Sequence, residues 1–256
     1  MEPVRSLRNP RVVDAARLHR ARIRKELGLT LVEGPHVVGD AIRFGCQIPT
    51  IFALVEDPAA DSLAETSGSV LVRVTQDVLT RLSGTDHPRG PVAVVRIPDS
   101  RRIEDRSAIV LWDVGDPGNV GTLIRSAAAF GYGVIATGST ADLWSPKVVR
   151  AAAAGHFATV LETAPALSVD GLRDRGFRCL ALTADGTADL STVPPGRMAV
   201  LVGDEASGLP VAVRQAADLT VAISMPGGME SLNAAVAGSI AMHALFNAAG
   251  RSTPAD

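Results

Sequence analysis

The sequence predicts an α/β protein in two parts: a small N-terminal unit, then a larger unit built on a mostly parallel sheet. Three observations carry this. Short apolar runs alternate with helix-length segments along the whole chain. That alternation breaks once, at the polar, charged stretch PDSRRIEDRS (98–107), and then restarts, so residues 1–97 and 108–256 are read as domains and 98–107 as their linker. Finally, three glycine-rich bends lie in the second part: DPGNVGTLIRSAAAFG (116–131), LVGDEASGLP (201–210) and ISMPGGMESLNAAVAG (223–238). Each combines glycine, a small polar side chain and a helix start.

Taken in order, Asn9-Pro10 reads as an N-cap followed by proline at the first helical position. The helix it opens is expected to run to Leu27 and stop at Gly28, with its arginines mostly outward. LTLVEG (29–34) reads as a buried strand, with a helix over 35–44 behind it. TIFALVE (50–56) and VLVRV (70–74) are further strands, QDVLTRLSG a short helix, and PVAVVRI (91–97) the closing strand. Beyond the linker, strands are expected at 108–114, 133–137, 178–183, 198–203 and 219–224. Helices are expected at 119–130, 145–154, 165–175, 208–217 and 231–249, and the tail RSTPAD is taken as frayed. Apolar strands alternating with helices argue for a parallel sheet covered on both faces.

Composition narrows the function. A hydrophobic fraction of 46% with 20% charged residues reads as a soluble globular chain. Two distant cysteines, Cys46 and Cys179, make a disulfide framework or a cysteine zinc site an unsuitable reading and fit a reducing cytoplasm. Five scattered histidines imply no metal. The start MEPVRSLRNP has no apolar core, so no signal peptide is read there. The long apolar stretch 231–249 is interrupted by Asn233, Ser239, His243 and Asn247 and reads as a buried helix, so no membrane partner is expected. Net charge is −2, yet residues 1–25 carry +6 and the rest of the chain −8. A basic arm on an acidic body is the footprint of phosphate contact, although a solvated helix face explains the same charges.

In open parallel sheets, ligands sit beyond the carboxyl ends of the strands, where all three glycine-rich bends fall. Glycine lets backbone groups approach a ligand closely, and Ser231, opening the last helix in this reading, caps it or helps its N-terminus hold an anion. Three familiar sites are missing: a GxGxxG with its downstream acid, a GxxxxGK(S/T) loop and a GxSxG elbow. Trp112 and the residues His156, His243, Cys46 and Cys179 read as packing, and Trp144 beside Ser145-Pro146-Lys147 as part of a mobile loop near a bound nucleic acid.

These three segments, in this order and spacing, resemble the SpoU/TrmH family of SPOUT methyltransferases. The stretch from Asn119 through Gly121 to Arg125 looks like the first motif, that from Gly203 through Glu205 and Gly208 to Leu209 the second, and that from Ile223 through Met225, Gly227 and Ser231-Leu232 to Asn233 the third. The likeness spans about 150 residues. LVEGPHVVGDAI (31–42) resembles the substrate-binding domain, similar to a small ribosomal protein, of rRNA-modifying members. Ser224 stands where proline is usual and Asp204 where Asn, Ser or Thr is usual.

The resemblance implies methyl transfer from S-adenosylmethionine to a ribose 2′-hydroxyl of structured RNA, 23S rRNA ahead of tRNA. It also implies a deep C-terminal trefoil knot and a homodimer. Thr183, Gly203, Glu205, Ile223, Met225, Ser231 and Leu232 would line the cofactor pocket, and Arg125 and Asn119 would face the RNA. A guanidinium stays protonated in practically all proteins, so Arg125 is assigned to fixing a phosphate and stabilising negative charge, not to acting as a base. Ser231 would relay the proton and Asn233 orient Arg125 or the hydroxyl. Ala234, Ala235, Ala237, Gly238 and Ala241 would let a second helix approach closely, at the dimer interface. Two rival classes remain: a non-catalytic RNA-binding protein on this fold, and an α/β oxidoreductase or nucleotide enzyme using the same rim.

Overall fold

The structure is a computed structural model that describes residues 2–88, 90–248 and Gly250. It divides into two compact units, one formed by 1–99 with 144–157, the other by 100–143 with 158–256.

In the first unit, α1 (Pro10–Ala16) is capped by the Asn9 side chain, which accepts from the Arg11 amide. The expected single helix breaks here: a 3₁₀ turn follows at Arg17–His19, Arg20 is extended at φ −91°, and α2 (Ala21–Leu27) starts anew before ending at left-handed Gly28. Arg24 also departs from the outward reading, because it is buried and donates to the Leu18 carbonyl at 2.7 Å. The elements continue as β1 (Leu29–Glu33), α3 (Pro35–Arg43), β2 (Thr50–Ala53), α4 (Pro58–Ser67), β3 (Val70–Arg73), α5 (Gln76–Ser83) and β4 (Val92–Arg96). Helix α4 is absent from the sequence reading. Its start matches that of α1, an Asx cap (Asp57) before proline, and it ends at left-handed Gly68 (φ +66°) as α2 ends at Gly28, but its buried side is only Ala60 and Ala64. The sheet order is β1-β4-β2-β3, with β4 antiparallel to both neighbours and β2 parallel to β3.

The second unit opens with β5 (Ala108–Trp112), α6 (Pro117–Phe130) and β6 (Gly133–Thr137). The next helices, α7 (Pro146–Ala152) and α8 (Gly155–Ala158), depart from it. Val149 is buried in a cluster with Val32, Val38, Ala41, Ile48 and Ile51, the Thr30 hydroxyl donates to the Trp144 carbonyl at 2.7 Å, and Arg150 pairs with Glu33 at 2.6 Å. Residues 144–157 therefore belong to the first unit's core, although they follow the linker in sequence. Between the two helices Ala153 and Ala154 take left-handed φ values of +42° and +72°. Trp144 is half-buried against His156 (5.0 Å) and Phe157 (6.2 Å), so the packed cluster replaces the expected mobile loop.

After this excursion come β7 (Leu161–Thr163), α9 (Val169–Arg173), β8 (Arg178–Leu182), β9 (Ala188–Asp189), β10 (Met198–Gly203), α10 (Val211–Ala216), β11 (Leu219–Ala222) and α11 (Ala234–Ala248). All seven strands are parallel, in the order β7-β6-β5-β10-β8-β11-β9. Central strands β5 and β10 are nearly wholly buried, as a sheet covered on both faces requires. The small residues of α11 are used inside the chain. Ala234, Ala235, Gly238 and Ala241 are buried, and a Cβ on Gly238 would stand 2.5 Å from the Leu123 Cδ2 of α6. The close helix approach foreseen for a dimer is thus made to α6, and the outer stripe of α11 is instead Val236, Ile240 and His243. Ala249 and the tail 251–256 lie outside the described residues, and no described helix is long and apolar enough to cross a membrane.

Candidate active site

The parallel order β5-β10-β8-β11 brings three of the loops at the carboxyl ends of the strands around one cavity of about 300 Å³. The first follows β8 and supplies Thr183 and Asp185; the Thr183 amide is fixed by the Val221 carbonyl at 3.0 Å. The second follows β10. Here Asp204 closes a tight turn by accepting from the Ala206 amide (3.0 Å), the Ser207 amide (3.1 Å) and the Ser207 hydroxyl (3.1 Å). Those amides, Ser207 first, hold its carboxyl below the usual carboxylate range. The turn demands glycine at its base, since a Cβ on Gly203 would lie 2.3 Å from the Gly208 carbonyl carbon. The third loop joins β11 to α11 and contributes Ile223, Met225, Ser231 and Leu232.

All seven residues expected around a cofactor, Thr183, Gly203, Glu205, Ile223, Met225, Ser231 and Leu232, line this one cavity. Leu182, Val202 and Leu209 add apolar wall, and Asp185, Asp204 and Arg214 add charge. The cavity edge thus carries three carboxylates against one guanidinium.

The first bend joins the other two through its side chains. Asp116 caps α6 by accepting from the Asn119 amide at 2.8 Å, so Asn119 is not the cap but stands in the first turn. Its side chain is free to bridge: the Asn119 amide donates to the Glu205 carboxylate, while its oxygen accepts from Asn233 Nδ2 at 3.0 Å. Asn233 in turn caps α11, its Oδ1 accepting from the amides of Ala235 (3.0 Å) and Val236 (3.2 Å). One expectation is corrected here. Ser231 does not open α11; it lies three residues before the first helical residue, in the loop at the cavity. Asn233 makes no bond to Arg125 of its own chain, since its Nδ2 donates to Asn119 and its Oδ1 accepts at the helix end.

Arg125 is apart from this network. It is exposed on α6, does not line the cavity, and makes no hydrogen bond or ion pair with the described residues. Its neighbour Ser126 bonds Ser239 of α11 at 2.7 Å, and Val236 and Ile240 of α11 are exposed. Sequence reasoning missed Asp185 and Arg214. Asp185 carries a usable signal, since it follows the end of β8 just as Asp204 and Glu205 follow β10; Arg214 carries none, being one basic residue on an otherwise ordinary short helix. Among the described residues no group of three or more His, Cys, Asp or Glu is placed to hold a metal ion.

Apolar walls, backbone-rich bends and an acidic rim at the end of a parallel sheet suit a ligand with a flat apolar part and positive charge. S-adenosylmethionine is compatible with this lining: Ile223, Met225 and Leu232 offer an apolar wall for an adenine, and the acidic rim favours a cation. Comparison with known proteins makes the assignment specific. A profile described as the SpoU rRNA Methylase family matches residues 106–243, and one described as the MRM3-like substrate binding domain matches 9–93. The chain is 29% identical over 249 residues to the 23S rRNA (guanosine(2553)-2′-O)-methyltransferase RlmP of Bacillus subtilis, covering 96% of this chain and 99% of that one. A crystal structure of an AdoMet-bound rRNA methyltransferase from Sinorhizobium meliloti superposes with a TM-score of 0.84 at 29% identity, over 96% of this chain and 97% of the other. The SpoU methyltransferase AviRb from Streptomyces viridochromogenes, in complex with AdoMet, gives 0.83 at 28% identity, over 94% and 98%. The chain belongs to the SpoU rRNA methylase family. It is an S-adenosylmethionine-dependent RNA 2′-O-methyltransferase.

Proposed function

We propose that this enzyme methylates a ribose 2′-hydroxyl in 23S rRNA, in the cytoplasm, and that it does so as a homodimer. The observation that carries the catalytic reading is the bridge from Asn119 to Glu205 and Asn233, which ties all three bends to one cavity. The rRNA target is supported by the end-to-end likeness to a 23S rRNA enzyme and by the substrate-binding domain matched over 9–93. The N-terminal stretch adds exposed Arg5, Arg8, Arg11, Arg17, Arg20, Arg22 and Lys25 for phosphate contact. We take the trefoil knot from the family as part of this reading.

Bound S-adenosylmethionine supplies an electrophilic methyl group on a sulfonium. The protein's task is to align a poor nucleophile with it and to accommodate the charge that develops as the hydroxyl loses its proton. Arg125, always protonated, holds a phosphate next to the target ribose and stabilises the oxyanion. Ser231, exposed at the cavity, receives the hydroxyl proton and passes it to solvent. Glu205 and Asn233 hold Asn119 between them, so the Asn119 amide is oriented before substrate arrives. Because Arg125 does not line its own cavity and Val236 and Ile240 of α11 are exposed, the dimer forms over the α6–α11 face and Arg125 of the partner subunit completes each site.

The test is Arg125→Ala. Methylation of a 23S rRNA transcript should fall by about 100-fold or more, the scale of losing one oxyanion-stabilising group, with S-adenosylhomocysteine affinity unchanged. Loss of cofactor binding would mean that Arg125 acts on the cavity. Equal methylation of tRNA and 23S transcripts would move the substrate assignment.

A further inference from the structure

We infer that Arg214 and Asp185 form the subsite for the aminoacyl end of the cofactor, Arg214 taking its carboxylate and Asp185 its ammonium group. The inference rests on the cofactor reading above. S-adenosylmethionine ends in a zwitterion, and a cation and an anion close together at the edge of a cavity match it in charge. Among the residues lining the cavity Arg214 is the one cation. The other carboxylates are committed: Asp204 to its own turn, Glu205 to Asn119.

The Arg214–Asp185 pair is held loosely. One nitrogen, Nη1, reaches the two Asp185 oxygens at 3.2 and 3.3 Å, longer than the 2.7–2.9 Å usual for such charged bonds. Nη2 and Nε of Arg214 make no hydrogen bond with the described residues. A guanidinium has five donors in a fork suited to a carboxylate, and here most are unspent at the edge of a cavity. Asp185 is 72% exposed and Arg214 37%, so both can turn toward a ligand at little cost. An ordinary ion pair tying the β8 loop to α10 would use the same residues, but it would not read the ligand.

The two roles separate in calorimetry of the full-length protein with two probes: S-adenosylhomocysteine, which keeps the aminoacyl end, and 5′-methylthioadenosine, which lacks it. Arg214→Gln should weaken S-adenosylhomocysteine about tenfold, the worth of one partly exposed charged hydrogen bond, and leave methylthioadenosine unchanged. Arg214→Lys should leave methylthioadenosine unchanged and weaken S-adenosylhomocysteine less than Arg214→Gln does, since it keeps a point charge for the carboxylate but loses the fork. Parallel weakening of both probes by Arg214→Gln, unchanged S-adenosylhomocysteine affinity, or a lysine variant as weak as the glutamine one would each overturn the assignment. Failure of the wild type to bind either probe would overturn the cofactor reading itself, and the subsite with it.

Discussion

The two units of this chain are built on different logic. The catalytic unit has a sheet of seven parallel strands, and its cavity lies where three of the strand-end loops meet. Each bend is dictated locally, by glycine where backbones touch and by an Asx cap where a helix begins. The recognition unit has a four-stranded mixed sheet whose core is completed from elsewhere, by Val149 and the half-buried Trp144 and Phe157, which come 45 or more residues after the unit's last strand. A unit assembled from local signals can be read from its sequence. A unit that borrows a helix has a boundary that no stretch of sequence marks.

The largest effect expected from this difference is on truncation. A fragment that starts at residue 100 keeps 144–157 but removes the surface that buries Val149 and accepts the Arg150 ion pair. That fragment should aggregate or unfold non-cooperatively, whereas the same fragment with 144–157 replaced by a short Gly/Ser linker should stay folded and bind S-adenosylhomocysteine. Thermal melting and calorimetry on both fragments decide it. A simple truncation as soluble and cooperative as the linker version would show that the borrowed segment does not need its core.

The legibility of the site follows the same division. The bends were readable because each has to solve a local problem, Gly203 leaving room for the Gly208 peptide and Asp116, Asn119 and Asn233 lying at helix starts, whereas the individual cavity residues followed from the resemblance to the family. What the sequence could not rank was which small polar residue caps which helix. Ser231 and Asn233 are both competent caps, and only the position of the first helical turn, at Ala234, decides for Asn233. Asn119 was open to the same ambiguity until Asp116 took the amide. Arg24 illustrates the limit for charge patterning, since an arginine satisfied by a carbonyl can be buried within a basic stretch. The placement of 144–157 was illegible for a simpler reason: an apolar helix face says that it will be buried, not in which core.

One substitution type, made once in each unit, sharpens the contrast. In the catalytic unit Arg175 grips Glu162 with two nitrogens at 2.9 and 2.7 Å, both side chains are about nine-tenths buried, and the same carboxylate accepts the Ile103 amide at 2.9 Å. Arg175→Ala leaves that carboxylate buried without its counter-charge and should cost about 3–5 kcal/mol in urea unfolding. In the recognition unit Arg150 meets Glu33 with one nitrogen at 2.6 Å, but the arginine is 37% exposed and Ser83 also donates to the same carboxylate oxygen at 3.0 Å. Water can replace much of what Arg150→Ala removes, so its cost should be smaller, about 1–2 kcal/mol. The distinguishing readout is where the loss falls. Hydrogen exchange in Arg150→Ala should rise in β1, α3 and α7 while the amides of β5 and β10 keep their protection, because the pair joins parts of the recognition unit alone. Uniform loss of protection across both sheets would mean that the two units unfold as one, and the contrast between them would then concern assembly in sequence and not stability.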